Sequence, residues 1–406
     1  MKIGVINRID IIGGAAVSAM RLFNRLKADG ADVEYLVGIK HGHNGSRLMH
    51  PKSELFAKVR NLAEQYLLRK RNGGFPFSLS VFPFPLGLLI RWFKLDVVHL
   101  HWIGAGFISI SSLSRIRKPV IWTLHDSWPF TGGCHLPYEC RNYLTECGKC
   151  PELNSLKDKD LSRCLNKRKQ KTYRKIRNIT FVSPSRWLAD AAAKSSLLKD
   201  QRIVVIPNGL DISVFLPKGK PASRALLNIS SDSKMILFGA VNSTTDKNKG
   251  FQELLDAIGM VKHKPVELMV FGADGNELVE SLGIKTHFLG RITDETKMAA
   301  LYSAADVTVV PSRSENLSNV IMESLACGTP VVAFRIGGNS DMVEHQKNGY
   351  LAEPYKTEDL AMGLDWVLQH REPEILSANA RNKIESEFEI GLCARRYTEL
   401  YTSCCQ

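Results

Sequence analysis

The chain has 406 residues, 44% of them hydrophobic and 23% charged, with a formal net charge of +13 and an isoelectric point near 9.3. This composition is that of a soluble globular protein, and the lack of an apolar run of about 18 residues excludes a transmembrane helix. At about 150 residues per domain, the length predicts two or three domains. The excess of Lys and Arg favours an acidic partner, namely nucleic acid, an anionic membrane or a phosphorylated substrate.

The first half of the chain alternates strand-like apolar runs with helical patterns. A strand at 2–7 begins directly after Met1, without the features of a signal peptide. A glycine-containing loop at 11–16 and a helix at 17–28 follow. The segment 207–217 is rich in Pro, Asn and Gly and is predicted to be a turn and linker. Further strands are predicted at 32–37, 96–101, 119–124, 179–182 and 203–206.

The second half starts the same alternation again. Predicted strands lie at 234–238, 267–271, 287–289, 307–310 and 331–333. Two successive β-α-β-α series separated by a linker indicate an α/β protein with two doubly wound, Rossmann-like domains that face each other across a cleft. The last predicted helix, at about 388–403, has no strand after it.

The segment 314–334 carries the clearest functional signal. A strand leads into a polar loop with Glu315, and a helical pattern from Ser318 carries Glu323 before a Gly-Thr-Pro stop. Ligands of parallel sheets sit beyond the carboxyl ends of the strands, and a helix N-terminus attracts phosphate. If fully helical, the eight residues between the carboxylates would span about 12 Å. That length suits a nucleotide sugar, whose diphosphate joins a sugar to a ribose. The alternative is an ordinary crossover with two surface glutamates.

With Pro-Ser before it and Ala-Cys-Gly-Thr-Pro-Val-Val-Ala after it, this segment resembles the E-x7-E signature of the retaining glycosyltransferases of family four, which have the GT-B fold. The resemblance extends over nearly the whole chain and looks closest to the subgroup that builds bacterial extracellular and surface polysaccharides, of the colanic-acid type. The other matching stretches are G-G at 13–14, D-V-V-H-L-H-W at 96–102, T-L-H-D-S-W at 123–128, I-P-N-G-L-D at 206–211, K-G at 249–250, F-G-A-D-G at 271–275, F-L-G-R at 288–291 and Y-S-A-A-D at 302–306.

The resemblance implies an acceptor-side domain at 1–210, with the last helix (388–406) packing back on it, and a donor-binding domain at 211–387. The implied reaction moves a sugar, with retention, from a UDP- or GDP-sugar to a glycan or lipid-linked glycan in polysaccharide biosynthesis. No catalytic cofactor is implied. The implied catalytic residues are His125, Glu315 and Lys249, and the implied nucleotide-sugar-binding residues are Gly13, Gly14, Gly290, Arg291, Asn316, Leu317, Ser318 and Glu323.

Each charged residue of the donor site has its own role in the resemblance. Lys249 contacts the diphosphate leaving group, which fixed cations can stabilise without a metal. Glu315 lies near the donor sugar, and Glu323 accepts hydrogen bonds from the ribose hydroxyls. The backbone of Gly290 and Arg291 lines the base pocket. The glycine pair at 13–14 allows close approach of a phosphate or sugar, unless it is a simple tight turn.

Other positions leave alternatives open. Many family members carry an arginine where this chain has Ala240, so either Lys247 supplies a second cation or the amides of residues 316 to 318 carry more of the charge. His125, at the end of a predicted strand, touches the transferred sugar or the attacking group, or else it is a structural hydrogen-bonding residue. His99 and His101 share one face of their strand, and the sequence leaves open whether that face meets a ligand.

Two patterns bear on metals. The D-x-D sequence at 158–160 lies in a basic helical segment and is interpreted as a solvated charge run. The pattern C-x5-C-x6-C-x2-C, in a chain whose nine cysteines lack a secretory signal, predicts a structural zinc site in a reducing compartment. The alternatives are scattered reduced cysteines or a redox pair. The ligands would be Cys134, Cys140, Cys147 and Cys150.

Two basic runs, 60–71 and 157–177, fall in the first half, and the first adjoins an aromatic- and proline-rich stretch at 75–86. Basic and apolar elements together predict docking to an anionic membrane leaflet, where a lipid-linked acceptor would lie; the alternative is a solvated helix face. No nucleic-acid motif accompanies the charge, so nucleic acid is not an expected partner. The predicted location is the cytoplasm, including the inner face of the cytoplasmic membrane.

Two further functions are open at the level of sequence. One is an epimerase or phosphorylase of the GT-B fold, although a phosphorylase requires a cofactor-binding lysine motif that the chain lacks. The other is a non-catalytic membrane- or RNA-binding protein that keeps the fold, against which the intact Lys249, His125 and two glutamates argue. Analysis of the sugar product separates the epimerase, and sugar transfer from a bound donor separates the non-catalytic protein.

Overall fold

The structure is a computed structural model that describes residues 1–42, 45–69, 76–229, 232–239, 244–263, 265–275 and 283–405. The chain divides into two compact units. The first comprises Met1–Asn208 together with Cys393–Gln406, and the second comprises Gly209–Leu392. Each unit is built around a parallel β-sheet with helices on its faces, so the predicted α/β architecture of two doubly wound domains is confirmed.

The sheet of the first unit contains seven parallel strands. These are β1 (Ile3–Ile9), β2 (Val33–Ile39), β3 (Ser46–Leu48), β4 (Val97–Leu100), β5 (Val120–Thr123), β6 (Ile179–Ser183) and β7 (Arg202–Val205). The spatial order is β3-β2-β1-β4-β5-β6-β7, so the order reverses between β1 and β4. The helices are α1 (Gly14–Ala28), α2 (Ser53–Leu67), α3 (Leu86–Trp92), α4 (Ile110–Leu113), α5 (Leu161–Tyr173) and α6 (Arg186–Lys194).

The sheet of the second unit contains six parallel strands. These are β8 (Lys234–Gly239), β9 (Val266–Phe271), β10 (Thr286–Phe288), β11 (Val307–Val310), β12 (Val331–Phe334) and β13 (Gly349–Ala352). The order β10-β9-β8-β11-β12-β13 reverses between β8 and β11. The helices are α7 (Lys220–Leu226), α8 (Phe251–Met260), α9 (Glu295–Ala304), α10 (Asn319–Ala326), α11 (Asn339–Met342), α12 (Thr357–Leu368) and α13 (Pro373–Glu387).

The last helix, α14 (Ile390–Cys405), covers one face of the sheet of the first unit. Tyr397 and Tyr401 are buried in the same apolar cluster as residues of β1, β2 and α1. The Tyr397 hydroxyl lies 2.9 Å from Thr123 Oγ1 at the end of β5. Because the strands are buried on both faces, they read in the sequence as continuous apolar runs, and this is why their positions were predictable.

Two strands escaped prediction because neither is an apolar run. β3 has only three residues, and β13 reads Gly-Tyr-Leu-Ala. The aromatic- and proline-rich stretch was misjudged in another way. Within its described part, residues 76–86, the side chains of Phe77, Leu79 and Phe84 are buried. This stretch is therefore part of the core and does not supply the apolar membrane contact that was predicted for it. None of the helices in the described ranges has the length and apolar character needed to cross a bilayer.

Candidate active site

Two loops of the second unit meet where the strand order reverses between β8 and β11. The loop after β8 ends in a 3-10 turn, Lys247–Lys249, and the loop after β11 contains Glu315. Asn248 Nδ2 donates a hydrogen bond to the carbonyl of Ser314 (2.9 Å), and the N–H of Arg313 donates to the carbonyl of Asn248 (2.8 Å). These bonds hold the two loops together at the position where doubly wound sheets bind their ligands.

Lys249 and Glu315 form an ion pair within this junction. Lys249 Nζ lies 3.2 Å from Glu315 Oε2, and the two side chains are only 25% and 18% exposed. The negative charge of Glu315 raises the pKa of Lys249, although burial acts in the opposite direction. The junction therefore holds a fixed cation next to a carboxylate.

Two glycines make the close approach of these backbones possible. Gly250 has φ +71°, and a Cβ at this position would lie 1.9 Å from the carbonyl oxygen of Pro311. Gly337 has φ +52°, and its Cβ would lie 1.7 Å from the carbonyl oxygen of Glu315. Any side chain at either position would push the loop that bears Lys249 or the loop that bears Glu315 out of place.

The second predicted carboxylate, Glu323, lies inside α10. It is buried and accepts a hydrogen bond from the Tyr302 hydroxyl (2.9 Å). Ser318 caps the helix by accepting from the N–H of Ile321 (3.4 Å). The helix begins at Asn319, so the stretch between the two glutamates is partly loop. The distance expected for a fully helical segment consequently does not apply.

The remaining residues predicted for nucleotide binding lie on loops of the same unit. Asn316 is half-buried, whereas Leu317 and Ser318 are buried. Gly290 follows β10, has φ +58°, and its carbonyl accepts the N–H of Gly272 (2.7 Å). Arg291 is exposed. A hydrogen bond thus joins the loop after β10 to the loop after β9. Lys249 and Glu315 instead join the loop after β8 to the loop after β11.

In the first unit, Gly13 and Gly14 are exposed at the N-terminus of α1. Gly13 precedes the helix with φ +92°. Among the described residues no side chain caps this terminus, and the first turn holds no acidic residue. The amides of this turn therefore remain open to a ligand or to water.

His125 is half-buried and lies next to two buried histidines, His99 and His101. Its Nε2 lies 2.8 Å from His101 Nδ1, and the His99 imidazole is bound between Tyr401 and Thr123 at 2.7 and 2.8 Å. Burial lowers the pKa of His99 to about 3 and that of His125 to about 4, and it places the pKa of His101 well below its usual value. All three are therefore neutral near pH 7. His99 is a structural residue that anchors α14.

Sequence reasoning missed a second polar chain beside His125. His135 Nδ1 donates to Asp126 Oδ2 (2.6 Å), and His135 Nε2 lies 2.8 Å from Ser78 Oγ. Burial would raise the pKa of Asp126, but His135 and several N–H donors hold that pKa below its usual value. The order of the groups is that of a serine hydrolase triad. However, Ser78 is only 3% exposed and accepts a hydrogen bond from the N–H of Ala105 (2.9 Å). We therefore interpret these hydrogen bonds as structural and not catalytic.

The four cysteines of the zinc prediction line one small cavity in the first unit. Burial raises the pKa of Cys134 to about 12 and that of Cys147 to about 11. In the part of the chain that the structure describes, no group of three or more His, Cys, Asp or Glu is arranged to hold a metal ion. The predicted zinc site at Cys134, Cys140, Cys147 and Cys150 is therefore not supported.

The charge runs also differ from their interpretation. Asp160, read as part of a solvated run, is buried and caps α5 by accepting the N–H of Arg163 (3.1 Å). Lys169, inside the second basic run, is buried, and its ammonium group donates to the carbonyls of Trp128 and Thr131. Burial lowers the pKa of Lys169 to about 7. Lys70 and Arg71 of the first basic run, and Ala240 of the donor site, lie outside the described residues.

Comparison with known proteins bears directly on both units. Residues 12–214 match the family described as Glycosyltransferase Family 4, and residues 220–383 match the one described as Glycosyl transferases group 1. An uncharacterised glycosyltransferase of Methanocaldococcus jannaschii is 28% identical over 76% of this chain and 75% of its own length. A putative colanic acid biosynthesis glycosyl transferase of Escherichia coli is 28% identical over 62% of each chain.

A solved structure covers nearly the whole molecule. An Anabaena protein, crystallised in complex with UDP and glucose, superposes with a TM-score of 0.69 over 99% of this chain and 100% of its own, at 18% sequence identity. A likeness at this level of identity concerns the fold. Together with the two parallel sheets, it confirms the predicted GT-B architecture.

Proposed function

The chain belongs to glycosyltransferase family 4 and is a glycosyltransferase, and we propose that it transfers a sugar, with retention of anomeric configuration, from a nucleoside diphosphate sugar to a glycan or lipid-linked glycan. The observation that carries this proposal is the ion pair of Lys249 and Glu315 at 3.2 Å. This ion pair lies where the strand order of the second sheet reverses, and its Glu315 is on the loop that leads into α10. A fixed cation near a helix N-terminus suits a diphosphate leaving group.

In this proposal the second unit binds the donor. Lys249 exchanges part of its contact with Glu315 for the diphosphate, and Glu315 is left to bind hydroxyls of the donor sugar. Glu323 keeps the Tyr302 hydroxyl on one oxygen and accepts the ribose hydroxyls with its remaining lone pairs. The backbone of Gly290 and Arg291 lines the base. The Anabaena structure contains UDP and glucose, which favours a UDP-sugar as the first donor to test.

The first unit then serves the acceptor and the transferred sugar. Gly13 and Gly14 offer the amides of α1, and His125 acts as a neutral hydrogen-bonding group because burial lowers its pKa to about 4. The bond between the sugar C1 and the diphosphate oxygen breaks as the acceptor oxygen attacks the same face. The leaving phosphate oxygen takes the acceptor's proton, so the scheme requires no enzymic base and no metal ion.

We propose polysaccharide biosynthesis as the setting and an anionic membrane surface as the place of work. The Escherichia coli relative is named for colanic acid biosynthesis, which supports the first part. The charge of the first unit supports the second, because this unit has 36 Lys and Arg against 16 Asp and Glu, a net charge of +20. The second unit, with 18 against 25, has a net charge of −7.

The apolar part of the proposed membrane contact is one face of α2. Leu55, Val59, Leu62 and Tyr66 recur at helical spacing and are 58%, 57%, 68% and 62% exposed. The neighbouring Arg69 places its guanidinium 4.0 Å from the Tyr66 ring centroid, so a basic group borders this face. A helix with an apolar face and basic flanks binds at the interface of an anionic bilayer.

Sedimentation with vesicles tests the membrane proposal. We expect binding to vesicles with phosphatidylglycerol, release by salt and weak binding to neutral vesicles. The variant Leu62→Glu should lose binding, while Met362→Glu, which alters another exposed apolar residue, in the second unit, should retain it. Equal binding by both variants would exclude the α2 face.

The transfer function is tested by screening UDP- and GDP-sugars with isothermal titration calorimetry and then analysing products with glycan acceptors. We expect a nucleotide sugar to bind and its sugar to be transferred with retention. Release of an epimerised sugar without transfer would instead indicate an epimerase. Absence of nucleotide-sugar binding in the folded protein would indicate a non-catalytic role.

A further inference from the structure

Arg8 is a partly desolvated charged side chain whose guanidinium group has no hydrogen-bond or ion-pair partner within the described residues. It lies near the carboxyl end of β1, is half-buried, and its Nε is fully buried. Among the residues that the structure describes, no hydrogen bond or ion pair reaches its guanidinium group. Burial lowers the pKa of Arg8. A partly buried cation without a partner costs free energy, so this arrangement indicates a ligand that supplies the missing negative charge.

Two carboxylates of this unit, Glu64, whose charge acts on Arg8, and Asp126, which contacts Trp102, are already occupied. Glu64 is buried and accepts the N–H groups of Leu79 (3.1 Å) and Ser80 (2.5 Å). The charge of Glu64 raises the pKa of Arg8, but burial raises the pKa of Glu64 itself, and no hydrogen bond joins the two side chains among the described residues. Asp126 accepts from His135, from the Trp102 indole N–H and from the Trp128 backbone N–H. Neither carboxylate has taken the place of an ion-pair partner for Arg8.

Arg8 stands over an aromatic ring at the point where the strand order of the first sheet reverses. Its Cζ lies 5.8 Å from the ring centroid of Trp102, which is the second residue after β4. The N–H of Arg8 donates to the Trp102 carbonyl (2.9 Å), and the Trp102 N–H donates to Asn7 Oδ1 (2.8 Å). These bonds fix the two side chains next to each other at the reversal between β1 and β4, where doubly wound sheets bind ligands.

We propose that Arg8 and Trp102 form an acceptor subsite for a negatively charged sugar, whose phosphate or carboxylate group is held by the Arg8 guanidinium. The inference rests on the proposed transfer function and names the class of its acceptor. A guanidinium group pairs through two parallel hydrogen bonds with either anion, and the partly exposed indole offers an apolar face to the sugar ring. The net charge of +20 on this unit favours the approach of such an acceptor.

A second buried atom at the same edge of the sheet lacks a partner. His101, directly after β4, is 3% exposed, and its Nε2 has no hydrogen-bond partner within the described residues. The ends of β1 and β4 thus carry two buried donors or acceptors that the described chain leaves unsatisfied. In folded proteins such groups are rare and point to a ligand or ordered water.

The test is calorimetric binding of three sugars to the full chain saturated with UDP: glucose, glucose 6-phosphate and glucuronic acid. We expect one anionic sugar to bind more tightly than glucose, and its identity distinguishes phosphate from carboxylate. The variant Arg8→Gln should weaken that binding by about 10- to 150-fold, the range for a hydrogen bond to a charged group, and should leave glucose binding unchanged. The matched control is Arg47→Gln, because Arg47 also lies over an aromatic ring, Phe93 at 5.0 Å, but is exposed.

Several results would overturn the proposal. The first is that the wild type binds all three sugars with equal affinity, and the second is that Arg8→Gln and Arg47→Gln lose affinity for the anionic sugar equally. The third is that Arg8→Gln binds UDP more weakly, which would assign Arg8 to the donor site. If Arg8→Gln does not fold, Arg8→Lys keeps the charge without the planar fork, and it should reduce the preference for the anionic sugar over glucose. Failure of the transfer function is seen separately, as absence of nucleotide-sugar binding and turnover in the wild type.

Discussion

Replacing Lys249 by alanine should slow sugar transfer far more than it weakens donor binding. The side chain is fixed by its contact with Glu315, 3.2 Å away, so it is oriented before the donor arrives. Negative charge grows on the diphosphate as the bond to the sugar breaks. A cation that is already in place stabilises this charge in the transition state more than in the bound donor.

The distance gives the size of the effect. If Lys249 approaches a diphosphate oxygen as closely as it approaches Glu315, 3.2 Å, Coulomb's law for unit charges with an effective dielectric constant of about 20 gives roughly 5 kcal/mol. Because Lys249 is 25% exposed, solvent screens part of this attraction. We expect a loss of about 3 kcal/mol in the transition state, or about 100-fold in kcat, in line with the removal of one donor from an oxyanion hole.

The assay is release of UDP under saturating donor, combined with calorimetric affinity for UDP and thermal unfolding of each variant. Lys297→Ala is the matched control, because it removes the same charge from an exposed position on α9 of the same unit. We expect nearly normal kcat in this control. Equal losses in the two variants, or a Lys249→Ala variant whose defect lies entirely in UDP affinity, would refute the assignment of Lys249 to the leaving group.

Three further predictions concern the ribose contact, the loop junction and pH. Glu323→Gln should reduce the preference for UDP over 2′-deoxy-UDP about 10-fold in calorimetry, whereas Tyr302→Phe, which removes only the neighbouring hydroxyl, should change it less. Gly250→Ala should lower the free energy of unfolding by about 1–3 kcal/mol in urea titrations. The φ of +71° disfavours any side chain, and the added Cβ would lie 1.9 Å from the carbonyl oxygen of Pro311. Unchanged stability would contradict this geometry. The free energy of unfolding should fall as pH drops below about 6.5, by about 1.4 kcal/mol per pH unit for each of His99 and His125. The reason is that these histidines take up a proton below about pH 6.5 in the unfolded chain, but only near pH 3 and pH 4 in the folded protein. The variant His125→Gln should make this pH dependence less steep.

The fold was largely predictable from sequence because parallel strands buried on both faces leave continuous apolar runs. The strand at 307–310, for example, was placed at the residues that β11 occupies. β13 escaped because Gly349 and Ala352 lack the bulk of a typical strand. The Gly at 349 has a physical reason, since a Cβ there would lie 2.2 Å from the carbonyl oxygen of Val331 on the neighbouring strand. Close packing of backbones can therefore erase the apolar signal on which strand prediction depends.

The candidate site was only partly predictable. A motif can mark Lys249 and Glu315 as important, but their contact depends on loops that are far apart in the sequence. The same holds for the chain of Ser78, His135 and Asp126, because Ser78 lies 57 residues from His135 in the sequence. Local spacing favoured a zinc site at the cysteines because it counts ligands, whereas a metal site also needs those ligands in a coordinating arrangement. The four cysteines line one cavity, but no such arrangement occurs among the described residues.

The exposed apolar surface could not be located from the sequence either. The sequence marked the stretch at 75–86 as an apolar surface, and its described residues form core instead. The exposed apolar face lies one element earlier, on α2, where Leu55 and Leu62 remain exposed because Ala57 and Glu64 occupy the buried side. A helix with small or polar residues toward the core and large apolar residues toward solvent reverses the usual pattern. Burying those apolar groups against a partner would recover free energy that folding alone does not, and this is the physical basis for our proposal that α2 contacts a membrane.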